Sequence, residues 1–347
     1  MLSRLASAIG RNWGFTGALL LFAALFIGYH MLHPRGFSTA VFIQNANESV
    51  VIGFLAMAQT VPVLMRGLDL SVGAVMTLTN TIASHVVTGT PVQMIGGMVL
   101  TLVAGTGFGL MNGLIVVYGR IQPIIATLAT GAVASGMALL IRPSPGGDIS
   151  SDLNWALTNA IFDFAETLGF AEGGNAAWLQ PIANIPVPLV IMFVFGICVW
   201  VPFKRTVTGR TVYAVGSAEG AAYMSGLPVS RAKIAAFTLA GYFAGCAGLY
   251  LAIQTSSGNA DINQAGAYTL NSIAAVVLGG TSLLGGVGGA IGSLIGAGIL
   301  RTISFYFRIL SIDPLMQSLI EGLVLLAAVS IGALRTFRVK NTLELFR

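Results

Sequence analysis

Charge is what this 347-residue chain has least of. Asp, Glu, Lys and Arg together make up 8% of it, against about 25% in a typical soluble domain. So few charges cannot cover a water-exposed globule, which excludes an ordinary soluble fold. Cysteine is nearly absent. Cys198 and Cys246 both lie in apolar runs and read as small hydrophobes rather than redox or metal-linked groups. Lysine occurs at 204, 233 and 340, never after a glycine, so no Walker A phosphate loop exists in this chain. The patterns H-E-x-x-H, C-x-x-C and G-x-S-x-G are also missing. His30, His33 and His85 read as interfacial residues, not a metal set. Nothing here hydrolyses ATP or performs covalent catalysis.

What the chain has is apolar length. Hydrophobic residues make up 55% and glycine contributes 44 positions; mean hydropathy is +0.86. This composition describes an all-α polytopic membrane protein, a single transmembrane domain over 1–347. A span needs about 20 mostly apolar residues. Ten candidates lie near 14–32, 41–65, 70–88, 93–118, 121–141, 185–203, 232–253, 271–284, 287–307 and 316–334. The first lacks a clean A-x-A site before "HPRGFST" and reads as an uncleaved span rather than a signal peptide. With the N-terminus inside, only Arg35, Arg142, Arg301 and Arg308 of the seventeen Lys and Arg fall outside or near an outer helix end. The positive-inside rule therefore predicts both termini in the cytoplasm.

The stretch "RGLDLSVGAVMTL" sets Arg66, Asp69 and Ser71 between two apolar runs. Arg66 at the inner end of span two can reach water and anionic headgroups. Asp69 can accept from the free N–H groups that open the next helix. A capped structural turn and a gating or coupling element both fit, since an ionisable group at membrane depth is a functional candidate.

Two glycine ladders recur at four-residue spacing: Gly105, Gly109, Gly113 in span four, and Gly288, Gly292, Gly296 in span nine. Each predicts a ridge on which another helix backbone can sit closely. Each also falls third in a block of four spans, two to five and seven to ten. These blocks enter the membrane from opposite sides, the inverted repeat of many transporters.

Two polar segments interrupt the spans. The outer one, 142–184, is acidic, and its spacing of Leu157, Ile161, Phe164 or Ala165, and Leu168 predicts one amphipathic helix, either a lid on the bundle or a ledge for an external protein. The inner one, 204–233, is "KRTVTGRTVYAVGSAEGAAYMSGLPVSRAK". There Ser217 can cap a short helix, Gly226 suits its stop and Pro228 forbids continuation. A helix of two turns must dock on something, either its own bundle or a cytoplasmic partner.

Three stretches, "RGLDLSVGAVMTL", "GRTVYAVGSAEGAAYMSGLPVSRAK" and "LNSIAAVVLGGTSLLGGVGGAIGSLIGA", together with "MNGLIVVYGRIQPIIATLAT", resemble the ribose, galactofuranose and autoinducer-2 type of bacterial ABC importer permease. The resemblance covers most of 50–300. It implies a multi-pass subunit of the bacterial inner membrane, two permease copies or paralogues per complex with a sugar path between them, and a periplasmic binding protein. It also implies a cytoplasmic ABC ATPase that carries ATP and Mg, with no cofactor in this chain. The short inner helix would be the coupling element, with Ser217, Glu219, Ala221, Ala222 and Met224 toward the ATPase. Two departures stand out. Glu219 is followed by Gly220 where many members have a second acid, and Thr269-Leu270-Asn271 replaces acid-leucine-acid.

The cargo would be a small neutral sugar or related polyol. A neutral sugar needs hydrogen-bonding groups but no fixed charge. The in-span candidates for its path are Asn45, Asn47, Gln59, Asn80, Asn112 and Asn271; each can equally be an interhelical bond. Glu48, and Arg301 with Glu321, are the other costly groups, the last two a possible pair. The alternative function is an ion-coupled carrier of a small polar solute using Asp69 or Glu321; a membrane scaffold or channel is a third.

Overall fold

The computed structural model describes residues 13–170, 179–313 and part of 316–330. Twelve helices occupy the described residues: α1 Trp13–Leu32, α2 Thr39–Leu64, α3 Val72–Val86, α4 Pro91–Tyr118, α5 Pro123–Ile141, α6 Ser151–Thr158, α7 Ile161–Thr167, α8 Val187–Arg205, α9 Val207–Met224, α10 Val229–Thr255, α11 Ile262–Leu278 and α12 Ala290–Ile309. Among these residues there is no β-strand, only two isolated backbone bridges. Seven helices, α1, α2, α4, α5, α8, α10 and α12, are long and apolar enough to cross a membrane. The protein is thus polytopic and all-α.

Local signals set the helix starts. Pro91 and Pro123 stand at the first turn of α4 and α5, where a missing N–H costs nothing. The Gln93 side chain accepts from the Thr90 N–H at 2.8 Å. Asp261 opens α11 by accepting from the Gln264 N–H at 3.0 Å, and Thr206 opens α9 by accepting from Gly209 at 3.0 Å. Such caps satisfy donors that a helix start leaves free.

Helix α2 runs through the centre, buried from Val50 to Leu64. Helix α10 packs on α2, α3 and α4; α12 packs on α1, α2 and α11; α11 also meets α2 and α3. By contrast α1, α4 and α5 present large exposed apolar side chains, such as Leu20, Met31, Val103, Leu128 and Leu140. These faces suit lipid, not water.

Lipid gives helices little hydrophobic reason to associate, so close packing must supply it. The α4–α10 seam does so. A Cβ on Gly105 would lie 2.8 Å from both the Gly241 carbonyl oxygen and the Gly245 Cα, and one on Gly109 would lie 2.8 Å from the Gly241 Cα. Gly113 faces Ile234 of the same helix. The ladder in α12 is shorter than its spacing suggests. Gly292 and Gly296 meet Gly279 and Ala275 at the end of α11, but Gly288 lies before α12, in the turn against Thr281, at φ +121°.

Other expectations also shift. In the place of the expected eighth span, 271–284, stands α11 at 262–278, which is not one of the seven helices long and apolar enough to cross a membrane. Its first half is mostly exposed, Asn263 and Gln264 included, but Thr269 is buried and its Oγ1 accepts from the Gly73 N–H at 3.1 Å. The outer amphipathic helix is instead two short helices, α6 and α7. They break at Asn159–Ala160, where Ala160 bridges to Pro186; Ala165 is buried while Leu168 is exposed. Glu321, and so its pairing with Arg301, lies outside the described residues, as does most of the tenth span.

If the α4–α10 seam holds the bundle together, Gly109→Leu should lower the thermal unfolding midpoint in detergent markedly, by the equivalent of about 1–3 kcal/mol or more. Gly107→Leu, where a Cβ meets nothing within 4 Å, should leave it nearly unchanged.

Candidate functional site

The bundle has two polar ends. One gathers the start of α2, the segment 142–170 and the ends of α10 and α12. There the Asn47 amide donates to the Thr158 carbonyl at 2.5 Å and accepts from the Tyr250 hydroxyl at 2.5 Å. Asn154 donates to the Ile253 and Gln254 carbonyls at 2.6 and 3.0 Å. Glu48 is held by Arg308 in a two-pronged pair of 2.7 and 2.6 Å. A cleft of about 430 Å³ opens between these elements, lined among others by Gln44, Asn47, Glu48, Thr158 and Gln254.

At the other end, α9 is bent. Ala218 adopts extended angles of φ −158° and ψ 100°, dividing the helix into a longer part, 207–217, and a short one, 219–224. Ser217 therefore does not cap the short helix. Its hydroxyl donates back to the Tyr213 carbonyl at 3.0 Å, and Ala218 occupies the extended position before the new turn. Gly226 supplies the stop at φ +75°. In the short helix Ala222 is buried, whereas Gly220 and Ala221 are exposed and Tyr223 and Met224 are 71% and 85% exposed. Glu219 pairs with Lys233 at 2.6 Å on the surface, so it fixes the short helix to the start of α10.

Arg66 reaches this bend. Its Nε–H is shared between the Gly216 and Leu284 carbonyls, each at 2.7 Å, and Nη2 donates to the Ser217 carbonyl at 2.8 Å. The Gly286 N–H donates to the Leu64 carbonyl at 2.9 Å. Three segments thus meet at one junction: the end of α2, the bend of α9 and the turn 279–289.

Asp69 does not pair with Arg66. It is buried and accepts from the Ser71 N–H at 2.9 Å and the Ser71 hydroxyl at 2.5 Å, while the Asn112 amide donates to the same hydroxyl at 2.8 Å. The expected acceptance at the start of the third helix is present, and it joins a residue set down as path-lining, Asn112, to the turn. Burial pushes the Asp69 carboxyl up to about 6, against the two Ser71 bonds that pull it down.

The remaining polar candidates separate. Asn80 accepts from the Asn259 N–H at 2.8 Å and donates to the Ser257 carbonyl at 3.4 Å, so it positions the loop after α10. Asn271 is half-exposed on α11. Asn45 is buried beside the Tyr29 phenol. Gln59, at 0% exposure and five residues from the end of α2, has neither amide atom hydrogen-bonded among the described residues. Its neighbour Thr60 donates to Ser293 of α12 at 2.6 Å. Arg301 donates to the Tyr268 hydroxyl at 3.3 Å and lies over its ring.

The Asp69 geometry has a pH consequence. A carboxyl raised from its ordinary 3.8 to about 6 favours the neutral form in the folded state. Stability therefore rises as pH falls through about 6 and levels off below about 4. Asp69→Asn should unfold at a higher temperature than the parent at pH 7.5, by the equivalent of about 1–3 kcal/mol. The gap should close by pH 4.

Comparison with known proteins agrees with this architecture. Residues 41–329 match the family described as branched-chain amino acid transport system / permease component. The chain is 34% identical over 303 residues to the ribose import permease protein of Haemophilus influenzae, covering 86% of this chain and 87% of that one. It is 32% identical over 314 residues to the ribose import permease protein of Bacillus subtilis, covering 90% and 91%. With the L-arabinose transport system permease protein of Escherichia coli it shares 31% over 323 residues, covering 93% and 91%. No solved structure matches. With the match running through most of the helical bundle and nearly the full length of these relatives, the chain belongs to the permease family of sugar ABC importers.

Proposed function

We infer that this chain is the membrane-spanning permease subunit of an ATP-driven importer of a small neutral sugar or polyol. The observation that carries the reading is the pairing of a near full-length match to sugar permeases with an exposed, hinged two-turn helix at one end of the bundle. Hydrolysis belongs to a partner ABC ATPase holding ATP and Mg, and delivery to a periplasmic binding protein.

Ten crossings in the bacterial inner membrane, with both termini cytoplasmic, fit this reading. The short helix of 219–224 then lies inside and the cleft at Gln44 and Gln254 outside. The inverted repeat is supported by helix pairings. The packing of α4 on α10 has a counterpart in α12 on α2, α3 on α10 in α11 on α2, and α3 on α4 in α11 on α12. Such an arrangement places moving halves around a common centre. A second copy of the chain, or a paralogue, would complete the path.

Within the path, Gln59 is the residue of choice. A buried amide with both atoms free costs about 1–3 kcal/mol, a cost that function explains better than packing. Asn45, beside the Tyr29 phenol, and the Asn112 carbonyl oxygen, unpaired among the described residues, come next. At the inner end Gly220, Ala221, Tyr223 and Met224 form the docking face. Ala222 anchors it from below and Glu219 fixes its angle through Lys233.

The direct test is uptake of radiolabelled ribose, arabinose and allose into proteoliposomes holding this permease, its ATPase and binding protein. ATP-dependent uptake that survives collapse of ion gradients is expected; uptake needing only an ion gradient would contradict the reading. Gln59→Leu should cut uptake at least tenfold while leaving the unfolding midpoint equal or higher. A purely structural Gln59 would leave uptake unchanged. Tyr223→Ala with Met224→Ala should weaken recovery of the ATPase with the purified permease severalfold without shifting that midpoint.

A further inference from the structure

The junction around Arg66 combines two observations. The first is backbone strain in an unexpected place. Helix α2 ends with the Gly67 N–H bonded to the Pro62 carbonyl and the Arg66 N–H to the Val63 carbonyl, both 2.9 Å. This is the Schellman ending, whose C′ residue is left-handed and is usually glycine. Here the C′ residue is Arg66, at φ +64°, a conformation that costs a side-chain-bearing residue about 1–2 kcal/mol. A strained residue of this kind is kept where its surroundings over-determine it.

The second observation is what the strained position gains. From it the guanidinium reaches the last two carbonyls before the Ala218 break, those of Gly216 and Ser217, together with the Leu284 carbonyl of the α11–α12 turn. Helix ends leave such carbonyls unpaired, and a cation suits the negative end of the dipole. The contact is tight. A Cβ on Gly216 would meet the Leu64 carbonyl oxygen and, at 2.5 Å, the Gly286 nitrogen. Gly285 and Gly286 take φ of +76° and +72° to bring their turn alongside. Residues 219–224 are joined through Ala218 directly to the two carbonyls that Arg66 holds.

We propose that Arg66 is the positioning residue that transmits displacement of the 219–224 helix to both halves of the bundle, to α2–α3 through its own backbone and to α11–α12 through the Leu284 carbonyl. This rests on the permease reading above. A lysine supplies charge without the fork that spans three acceptors, so charge alone does not replace it.

Arg66→Gly tests the role without penalising the backbone, because glycine suits φ +64°. Arg120→Gly is the matched control. Arg120 is also left-handed, at φ +52°, and its side chain contacts none of these carbonyls. In the reconstituted complex, Arg66→Gly should lower sugar moved per ATP hydrolysed at least tenfold, Arg66→Lys severalfold, and Arg120→Gly not at all. An unchanged ratio in Arg66→Gly, or parallel loss of uptake and hydrolysis at constant ratio, would overturn the proposal. Should Arg66→Gly fail to assemble, Arg66→Lys decides, and wild-type coupling there sinks the idea. A readout free of transport uses spin labels at Gly220→Cys and Val287→Cys in a Cys198→Ser permease alone in nanodiscs. The distance distribution should broaden at least twofold in Arg66→Gly; an unchanged width contradicts the clamp. Broadening alongside a wild-type complex that shows no ATP-driven uptake would leave the clamp standing and remove the permease reading.

Discussion

The fold depends on how closely two helix backbones approach at the α4–α10 seam. In lipid, apolar side chains gain little by leaving one neighbour for another, so contact between backbones must hold the bundle. Gly105 and Gly109 lie directly against Gly241 and Gly245, and no side chain separates the helices. Helix α10 then serves as a fixed wall for α2, α3 and α4. Because α2 is surrounded, its polar residues must either find partners inside the protein or remain deliberately unpaired.

The polar residues of α2, and with them those of α3 and α4, sort by that rule. Asn47 spends its amide on Thr158 and Tyr250 and Asn80 on the loop at 257–259, and the Asn112–Ser71–Asp69 chain ties the last two turns of α4 to the turn between α2 and α3 while the Asn112 carbonyl oxygen stays unpaired. Gln59 spends neither amide atom on the described protein. A passive conduit for a neutral solute needs groups of this second kind, few in number and weak in binding. The driving force then has to enter from outside the membrane. The helix at 219–224, with Tyr223 and Met224 exposed, is the place we propose for an external protein to apply it.

Much of this was legible in the sequence. Apolar length located the seven helices long enough to cross a membrane, because lipid-facing runs such as α4 and α5 tolerate few polar residues. The glycine spacing named the α4 ridge, and Pro228 and Gly226 marked the end of the inner helix. The failures have physical reasons. Helix α11 begins nine residues early because Asp261 caps it and Thr269 is paired by Gly73, and hydropathy cannot see a buried polar contact. Ser217 looks like a cap, but the break falls one residue later, where its hydroxyl has already turned back to Tyr213. Gly288 keeps the four-residue spacing yet belongs to a turn. Arg66 was legible as a candidate, while its three carbonyl partners, some 150 and 218 positions away, were not.

The account turns on which end of the bundle the hinged helix occupies and what covers it. Met224→Cys in a Cys198→Ser background, where the remaining Cys246 is buried, probed with a membrane-impermeant thiol reagent in oriented vesicles, measures both. Reaction only in inside-out vesicles, and protection once the ATPase is added, is the outcome the account predicts. Reaction from the outer face, or a site equally reactive with and without the ATPase, would contradict it.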